Sequence, residues 1–423
     1  MDNDELSPFL SMIRHYSDDL STDCFIKNIN KKAVTAIIRN EKNISEDLSS
    51  LLFDVTERLD DITYRVKEES NIRLGKSAYH FAGGFYMMDP SSSYVTYQVS
   101  KLLPKNPVVY DMCAAPGGKS ISLSMRRNDA FIIANDISFQ RADEIVKNVN
   151  RLGITNILTT SNDPVKVDYE PYFDLCILDA PCSGSGMIRK EEKMLKDYSE
   201  DKVQRLLPIQ KSLLDKAADL VREGGYLLYS TCSLSVEEDE DQVKAFLSSH
   251  REFEYVDLEK EEGILDGVDS LGYHLLPGVS RGEGIYYALM RKLDRGSRLN
   301  VDPELTEFKY KDNVYVCREI PSPFDRITYL TPGIKKYDTS EYPKCEFDNA
   351  YCKVDWQTPT LELTQEEAIS YIAGSEIRNN RNAKDGLVIL AYDSYRLGYG
   401  KKVGNRIKNY LPKGLRTDIE FIG

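Results

Sequence analysis

The chain has 423 residues, more than one hydrophobic core ordinarily serves, so about two to four domains are expected. Hydrophobic residues make up 41% and charged residues 29%, the balance of a globular chain with a wetted surface and not of a disordered one. The net charge of −13 argues against attraction of polyanions by the whole surface, so contact with nucleic acid would need a local cluster of basic groups.

The opening residues, MDNDELSPF, are acidic and lack the basic-then-apolar profile of a secretory signal. No apolar run approaches the ~20 residues of a membrane helix, so a cytoplasmic protein without membrane contact is expected. Its eight cysteines (24, 113, 176, 182, 232, 317, 345 and 352) are then reduced. None forms a CxxC pair, and Cys345 and Cys352 have neither a second ligand pair nor a nearby histidine, so no metal site is expected. Residues 1–75 are polar with helical periodicity at Leu48, Leu51, Leu52, Val55 and Leu59, and carry no chemical motif.

From 107 to 290, β-rich runs alternate with amphipathic helical patterns. Strands are predicted over 107–112, 130–135, 156–160, 173–179 and 226–232. Before the last of them, Ile209, Leu213, Leu214, Ala217, Leu220 and Val221 share a helical face that stops at Gly224-Gly225, a common terminator. Strand–helix alternation of this kind predicts an α/β fold with a doubly wound, mostly parallel sheet. Ligands in such sheets sit beyond the carboxyl ends of the strands, where Asp111, Cys113, Asp136, Asp163, Asp179, Cys182 and Cys232 all fall. Downstream, 292–305 reads as a linker, 306–350 as a short β-leaning segment and 355–423 as a compact module. That module carries Arg396, Lys401, Lys402, Arg406, Lys408, Lys413 and Arg416 with no acid among them. Interleaved Gly398, Gly400, Gly404, Tyr395, Tyr399 and Tyr410 favour a surface that grips phosphates and stacks on bases over a merely solvated face.

Three motifs carry the chemistry. DMCAAPGGKS (111–120) joins a strand to a helix, and its glycines let backbone N–H groups approach a ligand closely. It is neither a P-loop nor GxGxxG, and a plain tight turn is the alternative. Asn135-Asp136 ends the next strand, where an acid can take ribose hydroxyls, although Asp136 alone could be a helix cap. With Asp163 placed to meet an adenine edge, the ligand reads as adenosine with a short zwitterionic tail, a description S-adenosylmethionine fits. In DAPCSGSG (179–186) a carboxylate and a cysteine without lysine make a poor phosphate cradle, and metal ligation lacks partners. Covalent chemistry remains, and a second cysteine stands in YSTCSL (229–234). Cys24, Cys176 and Cys317 read as small buried hydrophobes.

Together these motifs resemble the Nop/Sun family of RNA cytosine-5 methyltransferases, in the layout of its bacterial 16S ribosomal RNA methyltransferase F type. FAGGFYMMDPSSS (81–93) is similar to the segment leading into that family's catalytic domain, and 397–416 to its PUA-like RNA-binding module. The resemblance implies a Rossmann-like catalytic domain over 76–293. It further implies a small N-terminal accessory RNA-binding domain over 1–75, a connecting domain over 300–350 and an α+β PUA-like module over 355–423. It implies that Cys113, Ala114, Ala115, Pro116, Gly117, Gly118 and Lys119 hold the methionine part of S-adenosylmethionine. Asp136 then takes the ribose, Asp163 the adenine side, and Arg141 joins the same site. Asp179 lies between cofactor and base, Cys232 is the nucleophile, and Cys182 assists release. RNA contact falls to Lys401, Lys402, Arg406, Lys408 and Lys413, and the partner to 16S ribosomal RNA or the small subunit, met by a monomer. A chain ended near Lys292 should then keep cofactor binding and lose RNA affinity. Met88, Ser185 and Tyr399 depart from the family pattern. Transfer RNA as substrate, or a non-catalytic ribosome-assembly factor, are the rival readings.

Overall fold

The computed structural model describes residues 3–40, 48, 50, 52, 55–67, 70, 72–190, 197–293, 304–321, 324, 327–339, 347–378 and 384–420. Helices α1 (Asn3–Ile13) and α2 (Asp19–Asn28) come first. The Asp18 carboxylate caps α2 by accepting from the Ser21 amide at 2.7 Å. Leu6, Phe9, Ile13 and Phe25 pack in one cluster with Ile188, Leu234 and Leu276.

An antiparallel sheet follows, made of β1 (Ala36–Arg39), β2 (Thr56–Arg58), β3 (Thr63–Val66) and β4 (Phe85–Met88) in the order β2-β3-β1-β4. The helical periodicity expected through Leu59 stops sooner. Leu48 and Leu52 are buried and Leu51 lies outside the described residues, but β2 begins at Thr56 and Leu59 sits in the turn after it. Asp60 makes that turn by accepting from the amides of Ile62 and Thr63. Because α3 (Ala78–Phe81) leads into β4, the sheet draws strands from both sides of the boundary expected at residue 75.

The central sheet begins after α4 (Pro90–Ser100), whose N-cap is Asp89. Its elements are β5 (Val108–Asp111), α5 (Gly118–Arg126), β6 (Phe131–Asn135), α6 (Phe139–Leu152), β7 (Ile157–Thr160), β8 (Phe173–Asp179), α7 (Glu200–Leu220) and β9 (Val221–Thr231). They continue through α8 (Glu240–Ser249), β10 (Phe253–Val256), β11 (Ile264–Asp266), β12 (Tyr273–Leu275) and β13 (Ile285–Lys292). The order is β11-β12-β13-β9-β8-β5-β6-β7, with β10 also on β13. Strands β7, β6, β5, β8 and β9 run parallel and β13 joins β9 antiparallel. This is the Rossmann-like doubly wound sheet that the alternation predicts. Strand parity splits its core: Val108, Tyr110, Phe131 and Ile133 face one layer, Val109, Ile132, Ala134 and Ile177 the other. The chain reverses direction across the sheet between β5 and β8, the place where such folds open a crevice.

Two details differ from expectation. Helix α7 ends at Leu220, and Gly224-Gly225 lies inside β9. Gly224 has φ +74°, and a Cβ on Gly225 would stand 2.8 Å from the Phe173 carbonyl oxygen, so the pair permits close strand approach and caps no helix. On α7, Ile209 is 48% exposed while Gln210 is fully buried.

Of the expected linker, 294–303 lies outside the described residues. An antiparallel sheet of β14 (Leu305–Tyr310), β15 (Asn313–Arg318) and β16 (Ile334–Asp338) follows. The last sheet is built of β17 (Thr360–Glu362), β18 (Ile377–Arg378), β19 (Gly386–Tyr392), β20 (Tyr395–Val403) and β21 (Arg406–Asn409), ordered β17-β19-β20-β21-β18, with α9 (Gln365–Ile372) started by a Thr364–Glu367 capping box. Its core is shared with the first sheet: Leu48, Leu52, Leu74 and Phe85 cluster with Leu363, Tyr371, Ile372, Leu390 and Leu397. No described helix is long and apolar enough to cross a membrane.

Candidate active site

At the end of β5, Asp111 is enclosed, accepting 2.6 Å from the Ser120 hydroxyl with Oδ2 while Oδ1 meets no donor among the described residues. Burial lifts its pKa to about 7. The loop 113–119 then turns into α5 at Gly117, whose φ of +108° suits glycine. Its outer side is braced by α6: Arg141 donates to the Ala115 carbonyl at 3.0 Å and Asn148 to that of Pro116 at 3.2 Å. Asn135 ties three strand ends together. Its amide donates to the carbonyls of Met112 and Asn162 and its oxygen accepts from Thr160 and the Asn162 amide, while its own carbonyl accepts from Ala114. Met88 closes the loop from β4, its methyl 3.9 Å from where a Cβ on Gly118 would lie.

Asp136 is buried, with Oδ1 accepting from the Ser138 amide at 2.9 Å. Ser138, and not Asp136, caps α6. Asp136 Oδ2 lies 3.3 Å from Arg141 yet takes no hydrogen bond among the described residues. Beside it, Ile137 and Phe139 are exposed, an apolar lip next to a buried carboxylate. Asp163 is partly exposed and paired with Lys166 at 3.0 Å, which holds its carboxyl below the usual range. Carboxylate oxygens without donors and an apolar lip, with Lys119, Arg141 and Lys166 each already set against a carboxylate, fit S-adenosylmethionine better than a polyphosphate.

Strands β8 and β9 run side by side with Asp179 opposite Ser230, so the two cysteine loops leave the sheet together. The sulfurs of Cys182 and Cys232 stand 3.1 Å apart. Lys119, 5% exposed on α5, reaches Asp179 Oδ1 at 2.8 Å, and the Ser230 hydroxyl donates to the same oxygen at 2.8 Å. The Cys182 thiol is held well above its ordinary pKa, first by the hydrogen bond with Cys232, then by burial and the charges of Cys232 and Glu238. Burial, reinforced by Asp111, Asp136 and Asp179, pushes Cys113 up to about 12, so that cysteine stays a thiol. Cys176 and Cys317 are buried likewise, and Cys24 donates to the Gly278 carbonyl. Cys345 lies outside the described residues.

The glycines of DAPCSGSG serve loop packing. Gly186 donates to the Cys232 carbonyl at 2.8 Å, and a Cβ on it would stand 2.6 Å from the Gly284 carbonyl oxygen. Ser185 accepts from the Leu234 amide, tying the same two loops. Sequence reasoning passed over Glu238, Gln210 and Asn135. A glutamate inside the run EEDED reads as solvated, yet Glu238 is fully buried beneath both cysteines. Behind it Asp239, Glu240 and His274 are buried together, with Glu240 and His274 bonded at 2.8 Å and burial pushing Asp239 well up.

The basic tail divides by strand parity. Lys401, Arg406 and Lys408 are exposed, with Lys401 directly opposite Lys408, and Arg378, not anticipated, lies opposite Arg406. Lys413 is exposed in a short turn. Lys402 is buried and donates to the Gly404 carbonyl, leaving its ammonium no phosphate to meet. Tyr395 and Tyr399 are also core residues, the latter donating to Asp355 at 2.7 Å, so neither presents a face for a base.

A family model described as 16S rRNA methyltransferase RsmB/F matches residues 100–291, and one described as methyltransferase RsmF PUA domain matches 358–417. The protein named ribosomal RNA small subunit methyltransferase F from Vibrio cholerae serotype O1 is 30% identical over 403 residues, covering 83% of each chain. Its namesake from Aeromonas salmonicida is 27% identical and covers 84% of each. A solved methyltransferase homolog protein from Pyrococcus horikoshii is 26% identical with a TM-score of 0.55, covering 69% of this chain and 100% of that one. The structure of NSun6 from Pyrococcus horikoshii with SFG shares the fold at 19% identity and a TM-score of 0.56, over 68% of this chain and 98% of that one. By sequence along most of its length, and by a sheet and loops that fit the cofactor, the chain belongs to the RsmB/F family of S-adenosylmethionine-dependent methyltransferases.

Proposed function

We propose that this protein methylates carbon 5 of a cytosine in small-subunit ribosomal RNA through a transient bond between Cys232 and carbon 6 of the base. The observation that carries the reading is the pair of sulfurs 3.1 Å apart beside the Lys119–Asp179 pair. Carbon 5 of cytosine is a poor nucleophile. Addition of the Cys232 thiolate to carbon 6 breaks the aromatic ring and makes carbon 5 enamine-like. S-adenosylmethionine, when bound, supplies an electrophilic methyl group. Loss of the carbon 5 proton to a base then restores the ring and expels the thiolate.

Cys182 remains a thiol, and its S–H can donate to the Cys232 sulfur as that sulfur leaves with the bonding pair. Lys119 and Ser230 both use Asp179 Oδ1, and Oδ2 takes no hydrogen bond among the described residues. That oxygen is available to the amino group or protonated ring nitrogen of the base, where its charge stabilises the adduct. Asp136 would hold the ribose of the cofactor, and Ile137 would cover its purine face. Lys401, Arg406, Lys408, Lys413 and Arg378 would meet RNA phosphates, and the target base must leave its stack to reach the cysteines. The RNA contacts are assigned to a monomer with an accessory N-terminal unit and a PUA-like C-terminal unit. The names of the relatives support ribosomal over transfer RNA.

Cys232→Ser should abolish methylation and give no adduct. Cys182→Ala should attack, transfer the methyl group and stall, leaving a protein–RNA species that survives denaturing electrophoresis. The opposite pattern would make Cys182 the nucleophile. Bisulfite sequencing of total RNA with and without the gene should unmask one or more cytosines in small-subunit ribosomal RNA. Loss of protection only in transfer RNA would move the substrate.

A further inference from the structure

Glu238 lies in the turn that leads into α8 and is enclosed by protein, yet among the described residues no lysine or arginine pairs with it. It is satisfied by donors instead. Oε1 accepts from the Ser183 amide at 2.9 Å and from Gln210 Nε2 at 3.0 Å. Oε2 accepts from the hydroxyls of Ser183 at 2.5 Å and Ser233 at 2.6 Å. These serines each directly follow a motif cysteine, Cys182 and Cys232. Gln210 also donates to the Pro181 carbonyl at 3.0 Å, so the residues on both sides of Cys182 are tied to the same carboxylate. A buried carboxylate given this many donors sits rigidly.

We propose that Glu238 is the positioning residue of this site: its carboxylate staples the loop bearing Cys182 to the loop bearing Cys232 and sets the distance between the two sulfurs. Ser183 donates twice and Ser233 once, so losing the carboxylate cuts both loops from their shared anchor and leaves the Gly186–Cys232 and Ser185–Leu234 bonds to hold them, whereas losing either serine cuts one. The same charge stands behind Cys182 and disfavours a thiolate there. Among the described residues neither sulfur bonds to Glu238 itself, so the carboxylate acts through the two loops.

The proposal rests on the two-cysteine reading above, so one readout must not depend on methylation. Diamide, a two-electron thiol oxidant, serves in the full-length protein. The Cys182–Cys232 disulfide forms as the diamide N=N bond takes up two electrons and the two thiol protons, and peptide mapping follows its rate. The unaltered protein should close this disulfide readily and Glu238→Ala about tenfold more slowly or worse, with kcat on RNA lower by about a hundredfold and KM little changed. Glu238→Gln should recover most of both, because its amide oxygen can face the Ser183 amide while the serine hydroxyls turn to accept from its nitrogen.

A Glu238→Ala protein that melts near the parental temperature and closes the disulfide at the parental rate overturns the proposal. If Glu238→Ala does not fold, Ser233→Ala decides, and an unchanged disulfide rate there overturns it equally. A parent protein that methylates no RNA would instead defeat the functional reading, and the disulfide rates would still judge the staple.

Discussion

Asp111 shows how burial makes one residue a pH-dependent element of stability. Its pKa is lifted from 3.8 to about 7 chiefly by burial, with the Ser120 hydroxyl opposing the rise and the Asp179 charge adding to it. The folded chain therefore holds this proton more tightly than the unfolded chain does. The stability it contributes is complete below about pH 4 and is lost as pH rises through about 7, up to roughly 4 kcal/mol in all. In the ligand-free protein, Asp111→Asn should flatten the fall in melting temperature between about pH 4 and 7. Parallel melting curves for the two proteins across that range would show that Asp111 does not titrate there. The sequence placed Asp111 at a strand end inside a recognisable motif. It did not reveal that the carboxyl is sealed, since only folding sets the ends of neighbouring strands, with Asp136 and Asp179, beside it. Glu238 was missed for the same reason: an acid in an acidic run looks solvated until the serines that enclose it are known.

At the scale of the element, the hairpin β20–β21 sets Lys401 directly opposite Lys408, and β18 sets Arg378 opposite Arg406. Like charges facing each other across strands destabilise a sheet by about 0.2–1 kcal/mol per pair, a cost that a bound anion would remove. Replacing Lys401 and Lys408 together with glutamine should therefore raise the melting temperature of the free protein. The same change should weaken RNA binding and flatten its salt dependence by about 0.7 for each phosphate no longer neutralised. Reduced stability, or a salt slope unchanged from the parent, would return these lysines to an ordinary solvated face. Counting charges found this run, but strand parity turns Lys402 inward, and Tyr399, on the same face as Lys401, is covered by Phe347 and Tyr351. Arg378 was illegible because only sheet pairing brings it beside Arg406. The Gly224-Gly225 pair misled for a related reason, since a glycine after an apolar helix reads as a cap whether or not a neighbouring strand needs the space.

For the whole molecule, the doubly wound parallel sheet and a ligand place beyond its carboxyl strand ends followed from the alternation of patterns, whereas the joining of its two ends did not. The cluster shared by Leu48, Leu52 and Phe85 with Leu363, Tyr371 and Leu397 unites the first sheet with the last, and Lys353 strengthens the seam by donating to the Ala82 carbonyl at 2.8 Å. Packing between segments so far apart in the chain leaves no periodic trace in the sequence. It revises the effect of ending the chain near Lys292. Each large apolar side chain left without its partners forfeits up to about 1.5–3 kcal/mol of burial. That fragment should aggregate or melt well below the full chain, and co-expression with 304–423 should restore its solubility. A soluble monomeric fragment melting at the parental temperature would show that the seam adds nothing. Arg126, held at 3.0 Å by both oxygens of Asp60, links α5 to the first sheet, so damage there should reach the cofactor loop as well.

The packing of α1 and α2 against Ile188, Leu234 and Leu276 also has a meaning in time. A ribosome delivers Leu276 roughly 260 residues after Ile13, a wait of about 13–50 s at bacterial and eukaryotic elongation rates. Through that interval Leu6, Phe9 and Phe25 have only one another and then Ile188 and Leu234 to pack against, and a holding chaperone has its natural target there. Helices made early thus finish packing only when Leu276 arrives, over cysteine loops that are already synthesised.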